Sequence, residues 1–415
     1  MTRPFRLLVF LVALLLVAAG GLVAAWTQRD EAPVTILGTW TGTQEKHFEK
    51  VLRGFGIPFT YQGTAAQREV LLSKVQSGES PDIVIMPGVG ELGEYADQNR
   101  LKPLGDLYDQ ADYGAPWGSA GKREGKVYWV PVKADLKSVV WYRSGHRPAP
   151  SPAPLKSWCI GMGDDGASGW PGSDWIEDLV LQRAGPGVYA RWALGDRTVK
   201  WTDPRVRGAW EAWGRLLRQS PSAARHALLT DHRGKQGGDG LLFAGWNGCA
   251  LEHQGSFARS FYSRRPAELT DSAPLLPGGP YPVRAHEVTG DFAALFRDRP
   301  QAKKLIEKLA SREGQRAWAG TKDVFSANRW VPSKSDRVGH EISEQLTGGG
   351  TRCLDASDVM APAVRDAFYE AALMTLSRAA TGADLDIRGL LRDLQRVQDA
   401  QSPSPAGPET VCSTP

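Results

Sequence analysis

Residues that build metal sites are scarce in this sequence. Its 415 residues include four cysteines and seven histidines, without a CxxC pair, an HxxxH pair or an HExxH motif. These are the spacings that commonly hold a metal ion, so we predict no metal site and no cofactor. A G-x-S-x-G motif and a Cys/His pairing signature are absent too, which disfavours serine and cysteine hydrolases.

A surface stripe of one charge is also missing. Lysines and arginines are scattered, and the net charge is only +4. Nucleic-acid-binding proteins cluster their basic residues, so we expect no nucleic-acid partner. Hydrophobic residues make up 41% and charged residues 23% of the chain, which is typical of a globular protein. At this length two domains are expected rather than one.

Residues 1–30 are predicted to be a targeting segment. Arg3 and Arg6 precede Leu7–Ala25, a run without charge. Two interpretations stay open: a signal peptide cleaved after Ala25, and a signal anchor that stays attached to the membrane. In both cases the basic residues predict that the body of the protein lies outside the cell. No cysteine follows the run directly, which excludes lipid attachment through an N-terminal cysteine.

The four cysteines are therefore expected in an oxidising environment, where disulfides form. They are Cys159, Cys249, Cys353 and Cys412. Four cysteines allow three pairings, and their spacing does not choose among them.

The N-terminal third predicts alternating strands and helices. Strands are expected at Ala32–Leu37, Pro58–Tyr61 and the end of 78–86, with a helix in each gap. This order is typical of an open, mostly parallel sheet with helices on both faces. Ligands bind such sheets at the carboxyl ends of the strands, which places Trp40–Gly42 and Pro87–Gly90 at a candidate ligand edge.

The stretch Gly169–Asp178, GWPGSDWIED, combines two tryptophans with several acids. We expect Trp170 in a loop and Ser173 or Asp174 as the cap of a helix that carries Trp175 in its first turn. Apolar rings beside well-placed polar groups suit a sugar, whose ring stacks on indole while its hydroxyls donate to carboxylates. The alternative is a buried tryptophan corner with a capped helix.

Five blocks carry a resemblance to a known family. They are PDIVIMPGVGELGEYADQNRLKPL (81–104), VPVKADLKSVVWY (130–142), CIGMGDDGASGWPGSDWIED (159–178), CALEHQGSF (249–257) and LDASDVM (354–360). Together they resemble the extracellular solute-binding proteins of ABC sugar importers, in particular the alpha-glucoside-binding branch. The resemblance covers roughly residues 33–380.

The resemblance implies an α/β fold of the type II periplasmic-binding-protein class, with two lobes around a cleft. Each lobe is expected to be a mostly parallel sheet flanked by helices. The first lobe is placed at 33–140 plus about 283–329 and the second at 141–282 plus about 330–400, with a Pro/Ser-rich tail at 402–415. The implied function is capture of a small oligosaccharide, such as an alpha-glucoside, by cleft closure without chemistry.

The expected partners are that oligosaccharide and an ABC transporter permease, together with the membrane if the N-terminal segment is not cleaved. We expect a monomer. An alternative function is a membrane-anchored sugar sensor or another non-transport relative of the same fold. A glycoside hydrolase, which needs two carboxylates such as Asp174 and Asp355 across a glycosidic bond, is the more remote alternative.

The chain departs from the family pattern at three points. The family's acylation cysteine is missing near Trp26, the helix before the CIG block is replaced by the Pro/Ala loop 148–155, and Cys353 replaces a usual phenylalanine. Because Cys353 and Cys412 both lie outside the shared pattern, the resemblance favours pairing them with each other. It then leaves Cys159 to pair with Cys249.

Ten residues are predicted to contact the ligand. They are Trp40, Glu45, Trp170, Asp174, Trp175, Gln254, Asp291, Trp330, Asp355 and Asp358. Structural alternatives stand beside several of them: Asp355 and Asp291 could cap helices, and Gln254 could brace a buried loop. For Lys133 an ion pair at the hinge is preferred to a ligand contact, and for His253 a structural role.

Overall fold

The computed structural model describes residues 32–413, apart from residues 124, 235–238, 244–247, 263–264, 322, 403 and 405. The predicted targeting segment at 1–30 therefore lies outside the described residues, as do parts of the glycine-rich loop near 240 and of the predicted tail. Within the described ranges, no helix combines the length and the apolar character needed to cross a membrane.

Twelve strands are formed by the described residues. They are β1 Val34–Gly38, β2 Phe59–Gly63, β3 Ile83–Met86, β4 Lys122–Arg123, β5 Lys126–Val127, β6 Trp129–Leu136, β7 Val139–Arg143, β8 Leu251–His253, β9 Ala267–Asp271, β10 His286–Leu295, β11 Arg352–Leu354 and β12 Cys412–Ser413.

Fourteen α-helices accompany these strands in the described part of the chain. They are α1 Gly42–Gly54, α2 Gln67–Gln76, α3 Val89–Asp97, α4 Trp117–Ala120, α5 Trp170–Ala184, α6 Pro186–Ala193, α7 Pro204–Leu217, α8 Pro221–Leu228, α9 Pro300–Ala310, α10 Arg312–Ala319, α11 Arg337–Thr347, α12 Ala356–Val359, α13 Pro362–Thr381 and α14 Ile387–Asp399. Short 3-10 turns at Gln110–Asp112, Leu155–Ser157, Asp165–Ala167, Ser256–Tyr262 and Pro408–Thr410 complete the set.

The larger sheet has the strand order β12-β11-β10-β3-β1-β2, with β6 also paired to β10. Strands β1, β2 and β3 are parallel, as the sequence predicts, and β10 runs antiparallel to β3 and β6. The carboxyl ends of the three parallel strands therefore lie beside Gly290 and Asp291 in the middle of β10. This edge is where α/β sheets place their ligands.

The smaller sheet differs from the expectation of a mostly parallel sheet in each lobe. It has the order β8-β7-β9, and both pairs are antiparallel. The predicted run Ser138–Tyr142 corresponds to β7, which is buried up to Tyr142. A strand buried on both faces is a continuous apolar run in either kind of sheet, so the sequence pattern does not reveal its direction.

The connection between the two sheets is short. Strand β6 belongs to the larger sheet and β7 to the smaller one, and only Lys137 and Ser138 separate them. β11 and β12 also pair within the larger sheet, although the sequence places 330–400 with the second lobe. The exact lobe boundaries stay a prediction.

Helix α5 begins earlier than the sequence predicts. Its first residue is Trp170, which was expected in a loop, and Pro171 lies in the first turn. Proline is favoured there because its missing N–H has no helical acceptor to lose. Gly169 precedes the helix with φ of +108°, and a Cβ atom at this position would lie 2.5 Å from the carbonyl oxygen of Tyr369. Only glycine fits this turn.

Both predicted disulfides are confirmed. Cys159 bonds to Cys249 and Cys353 bonds to Cys412, which leaves no free cysteine in the described chain. Most tryptophans belong to the core rather than to a binding surface. Those with at most 2% exposure are Trp117, Trp129, Trp141, Trp175, Trp192, Trp201, Trp210, Trp213 and Trp318.

Candidate functional site

Trp40 lies just after β1, at the predicted ligand edge of the larger sheet. Its indole N–H donates to Oδ2 of Asp291, at 3.1 Å. The ring is 4% exposed and packs against Phe48 and Trp318, with centroids 4.6 and 5.0 Å away. The hydroxyl of Tyr61 donates to the Trp40 carbonyl oxygen at 3.1 Å. Trp40 and Asp291 are thus brought together, as components of a buried wall.

Lys133 lies in strand β6, beside Asp291 of this wall. Its ammonium nitrogen lies 2.7 Å from Asp135 and 3.8 Å from Asp291. Burial alone would lower the pKa of Lys133, but the carboxylates of Asp135 and Asp291 raise it above its ordinary value. The lysine is therefore charged, and the ion pair favoured by the sequence is present.

Lys137 lies at the centre of a second cluster, where the chain passes from β6 to β7. Its Nζ atom lies 2.6 Å from Oδ2 of Asp174 and 3.3 Å from Oδ2 of Asp355. It also lies 5.0 Å from the ring centroid of Trp170 and 5.7 Å from that of Phe257, within the range of a cation–π contact. The two acids overcome burial and raise the pKa of Lys137 well above its ordinary value.

More acids than cations are buried around Lys137. Asp174, Glu177 and Asp355 bring carboxylate oxygens within 4.8 Å of one another, a spacing that could hold a metal ion. The lysine ammonium already supplies a positive charge at Asp174 and Asp355. Burial, and then the acids Asp355 and Asp174, raise the pKa of Glu177 well above its ordinary value. Oε2 of Glu177 also accepts hydrogen bonds from the N–H groups of Ala356 and Ser357, at 2.7 and 3.2 Å.

Asp174 is more enclosed than a free ligand-binding carboxylate. It is 4% exposed, and burial raises its pKa to about 6 in spite of the attraction of Lys137. Its neighbour one turn later, Asp178, accepts a hydrogen bond from the imidazole of His253 at 2.8 Å. The spacing of these two acids does place them on one buried face of α5, but each already has a protein partner.

Trp170 is the predicted residue that best fits a stacking surface. Its ring is half-buried, and its indole N–H donates to Oδ2 of Asp164 at 2.8 Å. The rings of His232 and Phe257 meet it edge to face, with centroids at 4.8 and 5.8 Å. Phe257 is half-buried as well, so two aromatic rings surround the ammonium group of Lys137.

Trp175 and Gln254 lie behind this surface. Trp175 is 2% exposed and packs on Trp158 and His253, with centroids at 4.6 and 4.7 Å. The Gln254 amide donates to the His232 carbonyl oxygen at 3.2 Å, which is the bracing role that the sequence left open. Both residues support the aromatic surface rather than form it.

Asp355 and Asp358 belong to the turn that starts α12. Asp355 caps this helix by accepting from the N–H of Asp358 at 3.1 Å, and also from the hydroxyl of Ser357 at 2.7 Å. Asp358 accepts from the hydroxyl of Thr289. Burial, followed by the charge of Asp355, raises the pKa of Asp358 to about 8. Asp355 thus has the helix-capping role that the sequence left open, and it also contacts Lys137.

Glu45 and Trp330 contact residues other than those of the two clusters. Glu45 accepts a hydrogen bond from the N–H of Gly42 at 3.2 Å, at the start of α1. Trp330 is 52% exposed, and the guanidinium of Arg312 lies 4.6 Å from its ring centroid. The same guanidinium binds Asp112 through two hydrogen bonds of 2.6 and 2.9 Å.

The sequence reasoning missed the residue at the centre of the site. Lys137 lies in the VPVKADLKSVVWY block, four positions after Lys133 and directly before an apolar run. A lysine beside a strand that is expected to be buried indicates a buried partner of opposite charge. The ring of Phe257 and the imidazole of His232 were missed as well. His232 follows no recognisable motif, so only the folded structure places it against Trp170.

Comparison with known proteins agrees with this architecture. The model of the family described as bacterial extracellular solute-binding protein matches residues 37–316. The osmoprotective compounds-binding protein GgtB of Synechocystis is 28% identical over 374 residues, which is 81% of this chain and 86% of GgtB. The alpha-glucosides-binding periplasmic protein AglE of Rhizobium meliloti is 29% identical over 371 residues, covering 79% of each chain.

A solved structure shows the same fold at low sequence identity. The maltose-maltodextrin binding protein of Alicyclobacillus acidocaldarius is 13% identical, with a TM-score of 0.62 over 89% of this chain and 100% of that one. The expected two-lobed α/β fold is thereby confirmed. The family match extends over more than half of the chain, through β1–β10 and into α10. The chain belongs to the bacterial extracellular solute-binding proteins.

Proposed function

We propose that this protein captures a small oligosaccharide outside the cell and delivers it to an ABC transporter permease. The relatives named above bind alpha-glucosides and osmoprotective compounds, as their names state. An alpha-glucoside or a similar neutral glycoside is accordingly the proposed ligand. The two lobes close on it, and binding shifts the equilibrium toward the closed form that a permease recognises.

Trp170 is the residue that carries this proposal. Its half-buried ring lies beside Phe257 and beside the charged pair of Lys137 and Asp174. A sugar presents an apolar ring face and a rim of hydroxyls, so an indole with adjacent charged hydrogen-bonding groups can hold both. Polar bonds formed in such a sheltered place are stronger than bonds made in open water.

Capture without chemistry is the proposed mode of action. The two carboxyl groups of a glycosidase lie about 5–5.5 Å or about 6.5–9.5 Å apart, on opposite sides of the bond that is cleaved. Here Asp174 and Asp355 both contact one ammonium group, that of Lys137. A lysine between the two acids occupies the place that a scissile bond would need, which supports binding rather than hydrolysis.

The proposed setting is the extracellular face of the membrane. Residues 1–30 direct export, and they either anchor the protein or are removed from it. A monomer that meets the permease through both lobes is the proposed working form.

Isothermal titration calorimetry on the full chain tests the proposal. Maltose, trehalose, sucrose and longer alpha-glucans are titrated against wild type and Trp170→Ala, with beta-glucans and monosaccharides as competitors. We expect one alpha-glucoside to bind, and Trp170→Ala to weaken it about tenfold or more, a loss of about 1.4 kcal/mol. Leu229→Ala, which removes an apolar side chain that is 79% exposed, serves as the control with unchanged affinity. Equal affinity of all three proteins would exclude Trp170 from the site.

A further inference from the structure

The last described residues form a strap along one edge of the larger sheet. This C-terminal strap, residues 406–413, consists of the turn Pro408–Thr410 and strand β12. β12 pairs antiparallel with β11, and the N–H of Leu354 donates to the carbonyl oxygen of Val411 at 2.8 Å. Val411 is 1% exposed. Val411 therefore anchors the strap in the core, while the residues around it are half-buried or exposed.

A covalent bond holds the strap in this place. Cys412 is the cross-strand partner of Cys353 and is bonded to it. The bond closes a loop with a sequence separation of 59 residues, which contains the whole of α12, α13 and α14. Because the bond fixes the strap to β11, the strap cannot detach from the larger sheet while the bond is intact.

The strap also contacts two helices from distant parts of the chain. Its turn packs against α4, which packs on β6 of the larger sheet, and against α6, which follows α5. The narrow space beside it is lined by residues that include Ala120, Trp129, Leu194 and Val359. The strap thus links α4, α6 and the edge strand β11 of the larger sheet.

The strand to which the strap is bonded leads directly into the candidate site. The N–H of Asp355 donates to the Val288 carbonyl oxygen at 2.8 Å, and the Leu354 carbonyl oxygen accepts from the hydroxyl of Tyr189 at 3.1 Å. Asp355 then lies 3.3 Å from the ammonium group of Lys137. A displacement of β11 would therefore move one of the two carboxylates that hold Lys137 beneath Trp170.

We propose that the C-terminal strap is a positioning element for ligand capture. By fixing β11 it holds Asp355, and through Asp355 it holds Lys137, in the arrangement that the ligand meets. By pairing with β11 and packing against α4 and α6 it also restrains local opening of this edge of the larger sheet. The first effect rests on the proposed function, whereas the second belongs to the fold and can be tested without any ligand. Cys353, Cys412 and Val411 are positioning residues in this account and make no contact with the sugar.

The test compares two disulfide knockouts in the full chain. Cys353→Ala/Cys412→Val removes the bond of the strap and keeps its apolar packing, and Cys159→Ala/Cys249→Val removes the other bond. Affinity for the alpha-glucoside found by calorimetry is measured well below the unfolding temperature of each protein. We expect the strap variant to bind about tenfold more weakly because its site is no longer pre-organised, and the control to stay within about twofold of wild type.

A second readout needs no ligand. Amide hydrogen exchange of segments 286–291 and 352–358 should become about tenfold faster in the strap variant than in the control. The reason is that the paired strands β10 and β11 open more easily without the bond. If no sugar binds at all, the proposed function is wrong, but the exchange experiment still tests whether the strap holds β11 in place. Equal exchange and equal affinity in both variants would overturn the proposal.

One further variant covers the case in which the double variant does not fold. Val411→Ala keeps the disulfide and removes only packing beneath the strap. We expect faster exchange in 352–358 and weaker binding, with far-UV circular dichroism unchanged. Wild-type exchange and affinity in this variant would likewise contradict a positioning role.

Discussion

The ammonium group of Lys137 lies 2.6 Å from the carboxylate of Asp174, and both side chains are almost completely buried. Asp355 is the second acid on the same ammonium group, at 3.3 Å. One cation thereby stabilises two carboxylates contributed by distant parts of the chain. It lies where the chain passes from the larger to the smaller sheet, so the cation that balances the charge of the site also lies at the connection between the two sheets.

Removing this lysine should strongly destabilise the fold. Lys137→Ala leaves Asp174 and Asp355 without their cation in a buried setting, and we expect a loss of about 3–5 kcal/mol in the free energy of unfolding. Lys303→Ala is the matched control, since Lys303 pairs with Asp298 at 2.5 Å on the surface and should contribute at most about 1 kcal/mol. Urea unfolding measures both, and equal small losses would contradict the role of Lys137.

The two tryptophans of the GWPGSDWIED stretch should separate stability from binding. Trp175→Ala removes a core ring and should cost about 3–5 kcal/mol of unfolding free energy. Trp170 is half-buried, so Trp170→Ala should lower stability less and act mainly on sugar affinity. Denaturant unfolding and calorimetry of the two variants give the comparison. The reverse pattern would show that Trp175 rather than Trp170 faces the ligand.

Stability should depend on the ionisation of Asp358. Because the folded state raises the pKa of this carboxyl to about 8, it binds a proton more tightly than the unfolded chain does. Its contribution is present below the unfolded pKa of about 4 and is lost as the pH rises through about 8. Asp358→Asn cannot ionise, so its melting temperature relative to wild type should increase between about pH 5 and about pH 9.

The control for this pH dependence is Asp393→Asn, a side chain that is 62% exposed. Its melting temperature should follow that of wild type over the same range. A constant difference between Asp358→Asn and wild type at every pH would mean that Asp358 does not hold its proton in the folded protein.

The indole N–H of Trp40 should matter as a hydrogen-bond donor to a buried acid. Trp40→Phe leaves Oδ2 of Asp291 without this donor, and we expect a loss of about 1–3 kcal/mol in unfolding free energy. Trp330→Phe alters a ring that is 52% exposed and should change stability by no more than about 0.5 kcal/mol. Chemical denaturation distinguishes them, and similar losses in both would argue against the Trp40–Asp291 bond.

Local patterns were sufficient to predict much of the fold. The apolar runs that became β1, β2 and β3 alternate with helical stretches, and that order alone predicts a parallel sheet. The resemblance favoured pairing Cys353 with Cys412 because both cysteines depart from the family pattern. The structure confirms this pair. Trp170 was expected in a loop but is the first residue of α5. The loop prediction was wrong because proline is compatible with the first turn of a helix, and Pro171 lies there.

Long-range contacts account for most of what the sequence did not reveal. Asp174 was expected to contact the ligand, yet it meets Lys137, which is 37 residues away in the chain. We now expect Asp174→Ala to lower stability as well as affinity. Trp170 and Trp175 are both tryptophans in the same ten-residue stretch, so the sequence does not show which of them is buried. The structure shows that Trp175 is the buried one, packed on Trp158 and His253. Whether the ten predicted residues contact a ligand stays a prediction.

A thermal-shift experiment on the full chain with alpha-glucosides tests the central claim most directly. A ligand present at about 100 times its dissociation constant stabilises the folded state by about 2.7 kcal/mol, which gives a clear rise in melting temperature. We predict such a rise with at least one alpha-glucoside, and a smaller rise in Trp170→Ala at the same concentration. A folded protein whose melting temperature does not change with any sugar in the panel would contradict oligosaccharide capture.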